Sequence, residues 1–188
     1  MTHLAVALAN YTTSGLGEKT ACVEIGGHGQ LSQWKKAEKD GYFTDQGVFY
    51  YPDYSKERIP VLLNMDYERI ILDFGDAYLS CREEIMRCDR KIFLLNLNPW
   101  QTFAARYLLR MVQTELWGNM QPVYGAVNAS HKVKKAVEKE FQIKVEEIPI
   151  VQDACCIQGK YFSVFHLLLG NTAVTRKKKL RIPNRRKI

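Results

Sequence analysis

Short apolar runs separated by stretches of helical periodicity constrain this chain more than any other feature. Thr20–Ile25 (TACVEI), residues 69–74 (RIILDF), 91–97 (KIFLLNL) and 122–128 (PVYGAVN) are too short for stable helices. They also lack the polar–apolar alternation of a half-exposed sheet, so they read as strands buried on both faces. Residues 48–51 and 144–148 are two further strand-like runs. Between them lie helical patterns over residues 2–14, 31–38, 58–64, 76–87, 99–116, 130–141 and 160–169. In 99–116, Phe103, Leu108, Met111, Val112 and Leu116 are expected on the apolar side. In 130–141, Ser130 is the expected cap and Val133, Val137 and Phe141 form the inner face. Strands that alternate with helices predict an α/β domain over residues 1–170, with a mostly parallel sheet and helices on both faces. Such sheets bind ligands at the carboxyl ends of their strands. The loops to inspect therefore follow Ile25, Phe74, Leu97 and Asn128.

The chain has 188 residues, 46% hydrophobic and 25% charged, which suits one globular domain. No apolar run is long enough to span a bilayer, and no basic, signal-like N-terminus is present, so a cytoplasmic protein is expected. The five cysteines (Cys22, Cys81, Cys88, Cys155, Cys156) form no CxxC pair and are expected to be reduced and mostly buried. The four histidines show no metal-ligand spacing, and His28 reads as a surface residue. No G-x-S-x-G, H-E-x-x-H or G-x-G-x-x-G occurs.

Charge is placed unevenly. Residues 176–188 (RKKKLRIPNRRKI) carry eight of the 27 basic residues and no acid. Without them the chain has 19 basic against 20 acidic side chains, so the net charge of +7 belongs to this segment. Like charges at that density predict disorder over 171–188 when the segment is free. Nucleic-acid phosphates or anionic lipid heads could attract it, the latter at the inner face of the membrane. A solubilising end without a partner is the plain alternative.

Four motifs occur in order: MTHLAVALANY at the start, ACVEI followed by GGHG, RIILDFG, and YGAVN. In this order and spacing the chain resembles the ParA/MinD-type deviant P-loop ATPases, in particular a divergent bacterial group of them. That family's phosphate loop reads roughly K-G-G-x-G-K-T-T. The resemblance puts Thr2 at the magnesium-binding hydroxyl and Met1 at the second lysine. It puts Asp73 at the acid on the magnesium side, Glu24 at the acid after the second strand, and Gly26 where the family's next acid falls. Asn128 takes the position that contacts the adenine edge, and Pro149 lies in the segment that flanks the base. The resemblance thus implies ATP and Mg2+ as cofactors, Asp73 and Glu24 in catalysis, and Thr2, Asn128 and Pro149 in cofactor binding.

It further implies a three-layer sandwich lacking the family's first strand and phosphate loop, and an ATP-driven homodimer that recruits a protein partner. With no glycine–lysine loop to hold phosphate, ATP binding by this chain is expected to be weak or lost. Two other classes remain open. One is a non-catalytic interaction module of a pilus, secretion or conjugation machine. The other is a nucleic-acid binder driven by residues 176–188. Each candidate also has a plain structural reading: Thr2 as a helix cap, Glu24 and Asp73 as strand-end acids, Asn128 as a turn residue.

Overall fold

The computed structural model describes residues 2–118 and 120–170. The segment 171–188, including the basic run, lies outside the described residues.

The chain opens with α1 (Thr2–Asn10), continued by a π-helical turn over Tyr11–Gly15. Every residue of α1 except His3 is buried, because it carries apolar side chains all round. Strand β1 (Thr20–Ile25) follows and is buried at all six positions. Helix α2 (Gln30–Trp34) leads to a hairpin, β2 (Phe43–Asp45) and β3 (Val48–Tyr54). Gln46 and Gly47 both hold positive φ at its two-residue turn, as a type I′ turn requires. Helix α3 (Ile59–Leu63) precedes β4 (Arg69–Asp73), and α4 (Arg82–Arg87) precedes β5 (Ile92–Leu95). Helix α5 (Thr102–Gln113), β6 (Val123–Ala126), α6 (His131–Phe141), β7 (Val145–Glu147) and α7 (Phe162–Leu169) complete the order.

The fold is α/β with mostly parallel strands and helices around them. Its strands pair in two groups, β2-β3-β1-β4 and β5-β6-β7, where one continuous sheet was expected. Among the described residues only β2–β3 is antiparallel. Both groups contribute to the same two cores. One core joins Ala21, Val23 and Ile25 of β1 to Phe93, Leu95, Tyr124 and Ala126. The other gathers α1, α7, Cys22 and Tyr50, with Ile71, Ile92 and Leu94 packed against it. The two groups are therefore halves of one layer, clothed on each side by a shared core.

Several sequence expectations need correction. Helix 76–87 forms only from Arg82, and helix 31–38 ends at Trp34. The inner face of α5 is Ala105, Leu109 and Val112. Phe103 is 77% exposed, and Leu116 lies beyond the helix, 91% exposed. Of the cysteines, Cys22 and Cys81 are buried, Cys88 and Cys155 are half-buried, and Cys156 is exposed; all five are free thiols. No helix among the described residues is long and apolar enough to cross a membrane.

Candidate functional site

Parallel pairing of β1 with β4 sets Glu24 directly beside Asp73, the last matched pair of the ladder. Neighbouring partners in a ladder point to the same face. Here that is the face covered by α1, whose first residue reaches them. The Thr2 hydroxyl donates to Asp73 Oδ2 at 2.6 Å, and the Gly75 N–H donates to Oδ1 at 3.1 Å. Glu24 is fully buried and accepts from the first turn of α2: Gln30 N–H at 2.6 Å and Leu31 N–H at 3.1 Å. A carboxylate at that position satisfies two otherwise orphaned helix donors.

His28 joins them, and this corrects its reading as a surface residue. Its Nε2 lies 3.3 Å from Glu24 Oε1 and 3.5 Å from Asp73 Oδ2, with the side chain only 21% exposed. The nitrogen is wedged between the two acids yet has no well-directed hydrogen bond to either. Three glycines make this return possible. Gly26, Gly27 and Gly29 hold φ of 100°, 69° and 66°, so the loop folds back over the strand ends. Gly75 leaves room on the other side, since a Cβ there would stand 2.7 Å from His28 Nδ1. The two acids act on Cys22, one turn of the pleat below. Burial pushes its thiol up, and the Asp73 and Glu24 charges push it further.

Thr2, Glu24 and Asp73 therefore converge at the carboxyl end of β1 and β4. Asn128 and Pro149 belong to the other strand group, just past β6 and β7. Asn128 is exposed just past β6, in a left-handed turn at φ 49°, which suits the turn reading. Pro149 is half-buried just beyond β7. Neither has a hydrogen bond to the acidic cluster. The one signal that could have found His28 is its spacing of four from Glu24.

A hydroxyl and two carboxylates are hard oxygen ligands of the kind magnesium takes. Thr2 is bonded to Asp73 and Glu24 to helix donors, and among the described residues no three His, Cys, Asp or Glu side chains are disposed to hold a metal ion. Phosphate fits worse. No lysine or arginine among the described residues forms an ion pair with Glu24 or Asp73. Among the described residues His28 is the basic side chain that stands against the two carboxylates, and no lysine or arginine charge is paired with them to draw in a polyphosphate.

No protein-family model and no curated protein matches the sequence. Solved structures do match in shape. A plasmid partition protein from Borrelia burgdorferi aligns over 89% of this chain and 90% of its own, at TM-score 0.60 and 11% identity. The MinC:MinD cell division protein complex of Aquifex aeolicus aligns over 80% of this chain and 76% of that one, at TM-score 0.55 and 11% identity. This chain has a ParA/MinD-like fold. MinD of Aquifex aeolicus, solved as a cell division protein, aligns in the same way over 87% and 79%, at TM-score 0.52 and 9% identity. At such identities the ParA/MinD likeness concerns architecture, and function must be argued from the site.

Proposed function

We propose that this chain is a degenerate ParA/MinD-like regulatory switch in which ATP binding is weak or lost. The carrying observation is the closed cluster at the strand ends: Thr2 bonded to Asp73, Glu24 spent on α2, and His28 lodged between the acids. In a nucleotide-competent site Thr2 and Asp73 would hold Mg2+, and Glu24 would assist the attacking water. Here each carboxylate oxygen already accepts a hydrogen bond from within the protein, and the Thr2 hydroxyl proton is committed to Asp73. Output would then pass through a partner protein or a second copy, as the MinC:MinD pairing of a structural relative suggests.

Isothermal titration with ATP, with and without Mg2+, tests the reading. We expect no saturable heat up to about 1 mM nucleotide. Hydrolysis at about 1 per minute or faster, abolished by Asp73→Ala, would refute it.

One observation favours the non-catalytic interaction module as a second reading. Trp100, just before α5, is 92% exposed, and Phe103 (77%) and Tyr107 (53%) follow one turn apart on the helix. Neighbouring exposed aromatics mark contact surfaces more often than solvated ones. A docking element of a pilus, secretion or conjugation machine would use such a face and need no nucleotide.

A further inference from the structure

Helix α1 does not end in the ordinary way. At Tyr11 it widens into the π turn that runs to Gly15. Such turns are rare and recur at functional sites. Beside this one lies a chamber of about 260 Å³, closed on its far side by the chain that leads into α7. Asn10, Tyr11 and Gly15 line one wall, and Cys155, Ile157 and Phe162 the other. The rings of Tyr11 and Phe162 meet with centroids 5.0 Å apart. Ser14, Gly15 and Phe162 are exposed and mark its mouth.

Asn10 gives the chamber its polarity. The residue is 1% exposed. Its amide nitrogen donates twice, to Val6 O at 3.0 Å and to the Tyr50 hydroxyl at 2.8 Å. These bonds fix which way the amide is turned, because a carbonyl such as Val6 O can only accept. The amide oxygen is left buried, with no hydrogen-bond partner among the described residues. An orphaned buried acceptor is costly and calls for a donor. Tyr11, itself 4% exposed, also has a hydroxyl without a partner among the described residues.

No charged side chain lines the chamber. Burial pushes the Cys155 thiol up, so that wall is uncharged as well. A bound ion would lose its hydration with no counter-charge to replace it. The occupant is therefore neutral, apolar over most of its surface and provided with one donor. Its size is bounded too. A cavity of roughly 150 Å³ is enough for one benzene ring. The chamber at about 260 Å³ leaves room for a ring with a small substituent.

We propose that this chamber binds a small uncharged aromatic alcohol or phenol, whose hydroxyl donates to Asn10 Oδ1 and whose ring lies against Tyr11, Ile157 and Phe162. The site stands at the opposite end of α1 from Thr2 and its bond to Asp73. It rests on the chamber alone and stands whether or not nucleotide binds.

Phenol serves as probe for the full chain, followed by NMR in amide proton–nitrogen correlation spectra. The expected result is a saturable shift of the Asn10 side-chain amide and the Gly15 backbone amide, half-complete by about 2 mM. Toluene has the same shape and no donor, and should bind about fivefold more weakly or worse. Benzylammonium brings donors and a charge, and should bind at least as poorly as toluene. Ile157→Trp fills the chamber from a half-exposed wall, leaves Asn10 untouched and should remove the shift. Should that variant fail to fold, the comparison of phenol with toluene on the unaltered chain decides.

No saturable shift up to about 10 mM phenol overturns the proposal. So does equal affinity for toluene, or a shift that survives in a folded Ile157→Trp protein. Two further outcomes reassign the chamber and equally overturn it. One is tighter binding of benzylammonium than of phenol, which would make it a cation site. The other is an Asn10 amide that phenol leaves unmoved and that cross-relaxes with a resident water, which would make the occupant a structural water only.

Discussion

Glu24 is the side chain on which the local structure around the strand ends depends most. It is fully buried, and both of its oxygens are engaged by N–H groups of α2, a helix of five residues. So short a helix has little cooperative stability of its own, so its first turn relies on that carboxylate. Replacing Glu24 with alanine leaves two donors unsatisfied, and His28 loses one of its acids. We expect Glu24→Ala to lower the free energy of unfolding by about 2–3 kcal/mol in urea titration. Glu24→Gln should cost roughly half as much, since one amide oxygen remains to accept. Equal stability of all three proteins would show that the carboxylate is idle. At this scale the acids were legible, because a carboxylate that ends an apolar run is visible as such. His28 was not. Its approach depends on positive φ at Gly26, Gly27 and Gly29, a conformation that sequence permits but does not announce.

At the scale of elements, the sequence was most readable where the chain decides locally. The strand at Thr20–Ile25 and the helix that follows Ser130 formed where the apolar pattern placed them, although the Ser130 side chain makes no capping hydrogen bond. Hairpin β2–β3 was missed at its first strand, three residues being too short for a periodicity to register, although Asp45-Gln46-Gly47 carried a turn signal. The buried face of α5 was also misjudged. Phe103 and Leu116 outrank Ala105 in hydrophobicity, yet the core that α5 shares with Phe93, Leu95, Tyr124 and Ala126 takes in the smaller residue. Close approach of elements explains Gly125 in β6 in the same terms. A Cβ there would stand 2.7 Å from Ile148 Cγ1 and 2.8 Å from its Cδ1. Ile148 is itself buried and bonded through its N–H to Ala126 O, so it has little room to yield. Gly125→Ala should therefore destabilise the fold by about 1–3 kcal/mol. Truncating the obstructing side chain should relieve part of that, so a double-mutant cycle with Ile148→Ala should show coupling of about 1 kcal/mol. Additive effects in thermal or urea unfolding would mean that the two residues do not meet.

Over the whole molecule, two properties could be read from sequence to different extents. Fold class was legible because alternation of strands and helices is a one-dimensional signal. The division of the strands into two groups was not, because pairing between β4 and β5 is a non-local event that no local pattern encodes. Charge, by contrast, needs no structure to be apportioned. The near-neutral body and the eight basic residues of 176–188 make one molecule with two electrostatic characters. If the basic segment engages phosphate, binding should be weakly sequence-dependent and should fall steeply with salt, because each contact releases a condensed counterion. Aromatic side chains are absent from 176–188, so base stacking adds nothing and duplex and single strands of equal charge density should compete similarly. The expected outcome is measurable affinity for a short DNA duplex at about 50 mM salt, lost by about 200 mM. Deleting 176–188 should remove it, because the remaining body is slightly acidic and repels the polyanion. Unchanged affinity after that deletion would place the contact on the folded body and end the case for a nucleic-acid role of the basic segment.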